Sequence, residues 1–112
     1  MIVFSNGTAK KEYEPEYTLV PTSNMWTFIK LDTINGRMWQ VQYSVQGDDY
    51  RFQTGLNFAS LVEDGEEFVG RLDLLYIRHR IQFFVLLDQH IGRVWQVQWS
   101  QEYSNRMILE IR

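Results

Sequence analysis

The sequence predicts an all-β fold made of two tandem repeats, each a roughly four-stranded antiparallel meander, packed with pseudo-twofold symmetry. Three observations support this prediction. A segment of the chain recurs half a chain length later, apolar and polar residues alternate along that segment, and Phe, Trp and Tyr make up 15% of the residues. Large aromatic side chains favour pleated strands, so composition and pattern agree.

The internal repeat is evident when residues 28–44 are aligned with residues 84–100. The two segments are identical at ten of seventeen positions, at a constant offset of 56 residues. Further along the chain, residues 51–56 align with residues 106–111 after a shift by one position. Self-similarity of this extent indicates a duplication, in which each copy is one structural unit.

The chain is predicted to be a single domain over residues 1–112. The two repeats cover about 14–57 and 70–112, and an acidic connection at 58–69 joins them. The predicted strands, in chain order, are 17–22, 26–32, 37–44 and 50–57 in the first repeat, and 71–77, 81–88, 93–100 and 105–111 in the second.

The third strand of each repeat alternates strictly between apolar and polar residues. Successive strand side chains point to opposite faces, so Trp39 and Val41 are predicted on one face, and Trp95 and Val97 on the equivalent face of the second repeat. Because each Trp shares its face with Val, we predict that both Trp faces form the core between two sheets. The opposite faces carry the glutamines Gln40, Gln42, Gln96 and Gln98, and Trp26, which has no Trp counterpart, is predicted to be exposed.

The second strand of each repeat is apolar on both faces, at residues 28–31 and 81–87. This pattern is typical of central strands that are covered on both sides. We therefore expect protein on either side of these strands.

The turn that follows each of these strands contains Asp and Gly at matching positions. An Asp side chain accepts hydrogen bonds from backbone N–H groups just ahead of it, and Gly adopts the left-handed conformation that closes a short hairpin. Asp32 and Gly36, and likewise Asp88 and Gly92, are predicted to be structural turn residues of hairpin loops.

Composition argues against several classes of function. The chain has no Cys, so it has no disulfide and no Cys-ligated zinc. Its two His residues lack metal-site spacing, and we predict no metal and no cofactor. The net charge of −3 disfavours nucleic-acid binding. No apolar run reaches the ~20 residues of a membrane helix, so we expect no membrane association and a cytoplasmic location.

The repeated motif resembles one found in a family of short bacterial proteins of unknown function. The motif is L-D-x-x-x-G-R-x-W-Q-V-Q-(W/Y)-S, and it starts at Leu31 and at Leu87. In the first repeat it follows (L/Y)-x-P-T-x-N-M-(W/Y)-x-F at residues 19–28. The resemblance implies no activity. A looser similarity links the Asp-x-x-x-Gly-x-x-Trp hairpin to blades of quinone-dehydrogenase-type propellers, although two units are too few to close a propeller.

Three functional hypotheses follow from the residues, and no catalytic constellation supports an enzyme. The first is a non-enzymatic module that binds a protein partner through a sheet edge or an aromatic patch, with a homodimer expected because unpaired edges invite pairing. The second is a carbohydrate or small-ligand binder. The third is a hydrolase that uses Asp32 and Asp88. The candidate binding residues are Trp26, Asn24, Gln40, Gln42, Gln96 and Gln98.

Overall fold

The computed structural model describes residues 14–77 and 82–112, which contain eight β-strands and two short 3₁₀ helices. Residues 1–13 of the predicted domain, and residue 81 of the strand predicted at 81–88, lie outside the described residues. The strands are β1 (Tyr17–Pro21), β2 (Thr27–Asp32), β3 (Met38–Gln42), β4 (Phe52–Asn57), β5 (Leu72–Tyr76), β6 (Phe83–Asp88), β7 (Val94–Gln98) and β8 (Met107–Ile111). The 3₁₀ helices, Asp48–Tyr50 and Tyr103–Asn105, lie in the loops before β4 and β8.

The strands form two four-stranded antiparallel sheets, one for each repeat. Their orders are β1-β2-β3-β4 and β5-β6-β7-β8, so each strand pairs with its neighbours in the chain. Consecutive pairing through short loops is the expected result of two meanders. The prediction of an all-β fold made of two tandem four-stranded repeats is therefore confirmed.

The register shows which residues of the two sheets are equivalent. Phe28 pairs with Val41 in the first sheet, and Phe84 pairs with Val97 in the second, at the offset of 56 seen in the sequence. The first strands follow a different offset. Val20 pairs with Ile29, whereas Leu75 pairs with Val85, so the structural counterpart of Val20 is Leu75. One residue of slip moves a side chain to the other face, so this detail decides which faces correspond.

The two sheets stack through faces that are not equivalent. In the first sheet the covered face carries Ile29, Leu31 and Met38, which are buried, whereas in the second it carries Phe84, Leu86 and Trp95. A twofold axis brings the same face of both units together. The predicted pseudo-twofold arrangement is therefore wrong, and the sheets stack head to tail, the Trp face of the second on the Gln face of the first.

The segment between the sheets passes over the β2–β3 hairpin. Leu61 N donates to Asn35 O at 2.8 Å, and Leu72 N donates to Thr33 O at 2.8 Å. Val62 from this segment is buried in the core. These contacts place β5 beside β2 and so determine which faces of the sheets meet. The core between the sheets contains Ile29, Leu31, Met38, Val62, Leu72, Leu74, Phe84, Leu86, Trp95, Val97 and Trp99.

Candidate functional site

The most prominent surface feature of the described residues is the side of the first sheet that the second sheet does not cover. We call this surface the aromatic face and define it by Tyr17, Leu19, Phe28, Trp39, Val41 and Tyr43. Leu19 is 59% exposed, whereas its structural counterpart in the second sheet, Leu74, is 5% exposed. All six counterparts in the second sheet are buried, namely Leu72, Leu74, Phe84, Trp95, Val97 and Trp99. The same face is thus interior in one repeat and surface in the other.

The aromatic face is organised by ring contacts and one cation. The Trp39 ring lies 6.4 Å from the Tyr17 ring and 6.3 Å from the Phe58 ring. Lys30 Nζ lies 4.7 Å from the Trp39 ring centroid and 5.6 Å from that of Tyr17, distances at which a cation is attracted to the ring. Trp39 is therefore a half-buried surface residue, and the prediction that it faces the core between the sheets is wrong. The same prediction is correct for Trp95.

A second uncovered surface lies on the opposite end of the stack. We call it the outer face. It is the side of the second sheet turned away from the first, and four side chains cross it in register: Leu75, Val85, Gln96 and Leu109. Around them lies an open apolar cleft of about 410 Å³, lined by Ile77, Phe83, Val85, Gln96 and Ile111. The strand β6, predicted to be covered on both sides, is thus covered on one side only by residues 14–77 and 82–112.

The four glutamines predicted as binding residues form two pairs of repeat counterparts, Gln40 with Gln96 and Gln42 with Gln98. The members of the first pair have different environments. Gln40 is buried between the sheets, where its Nε2 donates to Ser100 O at 3.1 Å and its Oε1 accepts from Ser100 N at 3.2 Å. Its repeat counterpart, Gln96, lies on the outer face. Gln40 is therefore part of a polar seam between the repeats.

Gln42 and Gln98 perform the same structural task in each repeat. Gln42 Nε2 donates to Tyr50 O at 3.1 Å, and Gln98 Nε2 donates to Asn105 O at 2.8 Å. Both carbonyls belong to the 3₁₀ helix that precedes the last strand of the sheet. The amide therefore holds the loop against the sheet, which explains why both repeats carry a long amide side chain at this position.

Three of the predicted binding residues meet in one small cleft at the end of the first sheet. A cleft of about 220 Å³ is lined by Asn24, Trp26 and Gln42, together with Tyr43, Ser44, Val45, Gln46 and Tyr50. Asn24 Oδ1 accepts from Trp26 N at 2.9 Å, which sets the turn, and the Trp26 ring lies 5.0 Å from the Tyr43 ring. Trp26 is exposed, so an aromatic surface and polar side chains lie side by side.

The two aspartates act within their own hairpins. Asp32 Oδ1 accepts from Ile34 N at 3.1 Å, and Asp88 Oδ1 accepts from His90 N at 2.9 Å. Gly36 and Gly92 have φ values of 84° and 83°, the left-handed conformation that favours Gly.

Asp88 also belongs to a buried ion pair. Arg71 Nε donates to Asp88 Oδ1 at 3.0 Å, and Arg71 Nη2 donates to Oδ2 at 2.8 Å. Burial raises the pKa of Asp88, but the hydrogen bonds from Arg71 and from the backbone of His90 and Ile91 outweigh it and hold the pKa below its usual value. Both carboxylate oxygens are thus engaged in the structure, which gives the hydrolase hypothesis no support.

The described residues contain no group of three or more His, Asp or Glu side chains arranged to hold a metal ion. In the same part of the chain, no helix has the length and apolar character needed to cross a membrane. The expected cytoplasmic location stays a prediction.

No family model matches the chain, and neither a curated protein nor a solved structure is significantly similar to it. The similarity of the repeated motif to short bacterial proteins of unknown function therefore stays a prediction as well.

The residues of the aromatic and outer faces were largely missed among the predicted binding residues. Leu19, Leu75 and Leu109 lie in strands whose alternation is weaker than that of β3 and β7, and their faces follow only from the register. The available signal was the apolar pattern on both faces of β2 and β6, which indicates a covering layer on each side.

Proposed function

We propose that this chain is a protein-interaction module and that its binding surface is the aromatic face of the first sheet. One observation carries the proposal. Tyr17, Leu19 and Trp39 stand where the second repeat has Leu72, Leu74 and Trp95, all buried against a neighbouring sheet. A contiguous exposed apolar patch marks an interaction site on a globular protein.

The composition of this face suits protein binding. Trp and Tyr provide large contact areas with little loss of side-chain freedom, and they dominate the energetics of interfaces. Lys30 adds a positive charge above the rings, and its Nζ also donates to Gln53 Oε1 at 2.6 Å. The face thus combines apolar rings with one hydrogen-bonded pair of polar side chains, a mixture of the kind found in protein interfaces.

A photo-crosslinking residue introduced at Leu19, and in a separate variant at Val45, tests the proposal in cells. Both side chains are exposed and apolar. Val45 is the control, because its counterpart in the second repeat, Gln101, stays exposed although the first sheet covers the neighbouring face of that repeat. We expect crosslinks to protein from residue 19 and none from residue 45. Crosslinks from neither position, or equally from both, would contradict the proposal.

A second candidate function, binding of a carbohydrate or another small polar ligand, is favoured by the cleft that contains Asn24, Trp26 and Gln42. An exposed indole beside amide groups suits stacking on a sugar ring together with hydrogen bonding. Titration with a panel of mono- and oligosaccharides, followed by the indole N–H resonance of Trp26, tests it. A saturable shift that Gln42→Leu weakens supports this function, and no shift of that resonance for any sugar refutes it.

A further inference from the structure

We propose that the occupant of the aromatic face is a second copy of this chain, which binds through its outer face, so that copies assemble head to tail. This inference rests on the proposed function and names its partner. The interface inside each chain, between the first and second sheets, would then be repeated between chains.

The two uncovered faces are the counterparts of the two faces that already pack together. The aromatic face corresponds to the buried face of the second sheet. The outer face corresponds to the buried face of the first sheet, since Val85, Leu87 and Val94 stand where the first sheet has Ile29, Leu31 and Met38. Each chain thus presents both halves of one established interface, and no sheet of the described residues covers either half.

The row of side chains across the outer face matches the row that forms the internal interface. Leu75, Val85, Gln96 and Leu109 lie side by side in the second sheet, and Val20, Ile29, Gln40 and Thr54 lie side by side in the first. Both rows have two aliphatic side chains followed by a glutamine, and they differ at the fourth position, where Thr54 bonds Arg106 and Leu109 is exposed. The row of the first sheet already covers the Trp and Phe face of the second sheet. The outer face, with a similar row, is therefore suited to cover the aromatic face of another copy.

The glutamine seam supplies a specific pair of atoms for the contact. Within each chain, Gln40 is paired with the backbone N–H and C=O of Ser100. Their counterparts are Gln96 and Ser44. Within the described residues, neither the Gln96 side chain nor the Ser44 backbone N–H and C=O takes part in a hydrogen bond. In the assembly, Gln96 of one copy donates to and accepts from the Ser44 backbone of the next.

The two faces carry charges of opposite sign, and Lys30 stands where the internal interface has the buried Leu86. Lys30 lies on the aromatic face, and Asp73, which pairs with Leu87, lies on the outer face. Their opposite signs avoid the like-charge contact that would oppose association.

A contact between two different faces is heterologous, and repetition of it closes a ring or continues as a filament. Four-stranded antiparallel sheets that stack face to face around an axis form propellers of about four to eight sheets. Since each chain supplies two sheets, we expect a closed ring of about two to four copies.

Two charge substitutions separate this arrangement from other dimers. Leu19→Glu places a charge on the aromatic face and Leu109→Glu places one on the outer face, where Leu109 is 54% exposed. Val45→Glu adds the same charge at a site that stays exposed. Sedimentation of each variant gives its mass, and circular dichroism checks that each is folded.

We expect the unmodified chain and Val45→Glu to form one species at a discrete multiple of 13.4 kDa. Leu19→Glu and Leu109→Glu are each expected to be monomeric, and their equimolar mixture is expected to form a two-chain species, because one intact aromatic face then meets one intact outer face. Gln96→Leu is expected to weaken association about tenfold or more, whereas Gln101→Leu leaves it unchanged.

Other outcomes would overturn the inference. A monomeric unmodified chain at micromolar and higher concentration excludes the assembly. Leu109→Glu that still dimerises indicates a contact between two aromatic faces, and Leu19→Glu that still dimerises indicates a contact between two outer faces. If the unmodified chain is monomeric while residue 19 crosslinks to a different protein, this inference fails and the proposed function stands. If residue 19 crosslinks to nothing, both fail.

Discussion

Gln40 and Ser100, sixty residues apart in the chain, form a reciprocal pair of hydrogen bonds between the two sheets. The Gln40 amide donates to Ser100 O at 3.1 Å and accepts from Ser100 N at 3.2 Å, and both residues are buried. Arg106 Nε adds a third hydrogen bond to Ser100 O at 2.7 Å. The Gln40 side chain thus satisfies the backbone N–H and C=O of Ser100, which lies beyond the end of β7.

Gln40→Leu is expected to lower the free energy of unfolding by about 1–3 kcal/mol, because Ser100 N–H would be left buried without a partner. Gln42→Leu, on the same face of the same strand, is the matched control. Its amide bonds an exposed loop carbonyl, so a loss of at most about 1 kcal/mol is expected. Urea unfolding measures both. Equal losses for the two variants would mean that the Gln40 seam has no special importance.

Asp88→Asn is expected to lower the free energy of unfolding by about 3–5 kcal/mol, because it leaves the buried Arg71 guanidinium without its anion. Asp32→Asn changes the equivalent residue of the first repeat. In that repeat Glu16 stands at the position of Arg71. An Asn oxygen still accepts from Ile34 N, so we expect a loss below about 1 kcal/mol there. Thermal or urea unfolding of the two variants compares them, and a tolerated Asp88→Asn would refute the importance of the ion pair.

The chain is expected to lose stability in acid. The hydrogen bonds from Arg93 lower the pKa of Glu110, and those from Arg71 and the backbone, against burial, lower that of Asp88. A carboxyl whose pKa is lower in the folded state adds stability above its unfolded value, ~4 for these groups, and that stability is lost as the pH falls through the folded value. The melting temperature should therefore be flat above about pH 5 and fall below it.

Glu110→Gln provides the control for this pH dependence. Removal of one titrating carboxyl should make the fall in melting temperature below pH 5 shallower. An unchanged slope would show that Glu110 does not contribute to it.

Gly36→Ala is expected to destabilise the chain more than Gly92→Ala. Both glycines have positive φ, which costs a residue with a Cβ about 1–2 kcal/mol. At residue 36 the added Cβ would also lie 2.9 Å from Leu61 Cδ1, whereas at residue 92 nothing lies within 4 Å. Unfolding measurements test the difference. In the Leu61→Ala background the two substitutions should cost the same, and a persisting difference would contradict this explanation.

The strands and the hairpin turns could be predicted because their signals are local. The alternation in β3 and β7, and the Asp and Gly of each hairpin, act within a few residues. The duplication then extended one prediction to the second repeat. The one-residue shift that the sequence alignment requires before Phe52 and Met107 is present in the strand pairing, where these residues face Gln42 and Gln98.

The stacking of the sheets could not be predicted because nothing local distinguishes the two Trp faces. Trp39 and Trp95 lie in nearly identical strands, but one is at the surface and the other is in the core. The difference arises from the connection after β4, which passes over the first hairpin and places the second sheet against the Gln40 side of the first sheet, while its Phe58 packs beside Trp39 on the other side. A repeat with identical strands can therefore have opposite environments, and the environment depends on which neighbour each unit has.

The central claim is that the two sheets of one chain stack head to tail, through non-equivalent faces. The nuclear Overhauser contacts of the Gln40 side-chain amide test it most directly. In a ¹⁵N-labelled sample we predict contacts between the Gln40 NH₂ protons and the backbone amide proton of Ser100. A contact between the indole protons of Trp39 and Trp95, together with no contact from Gln40 to Ser100, would show that equivalent faces meet and would contradict the account.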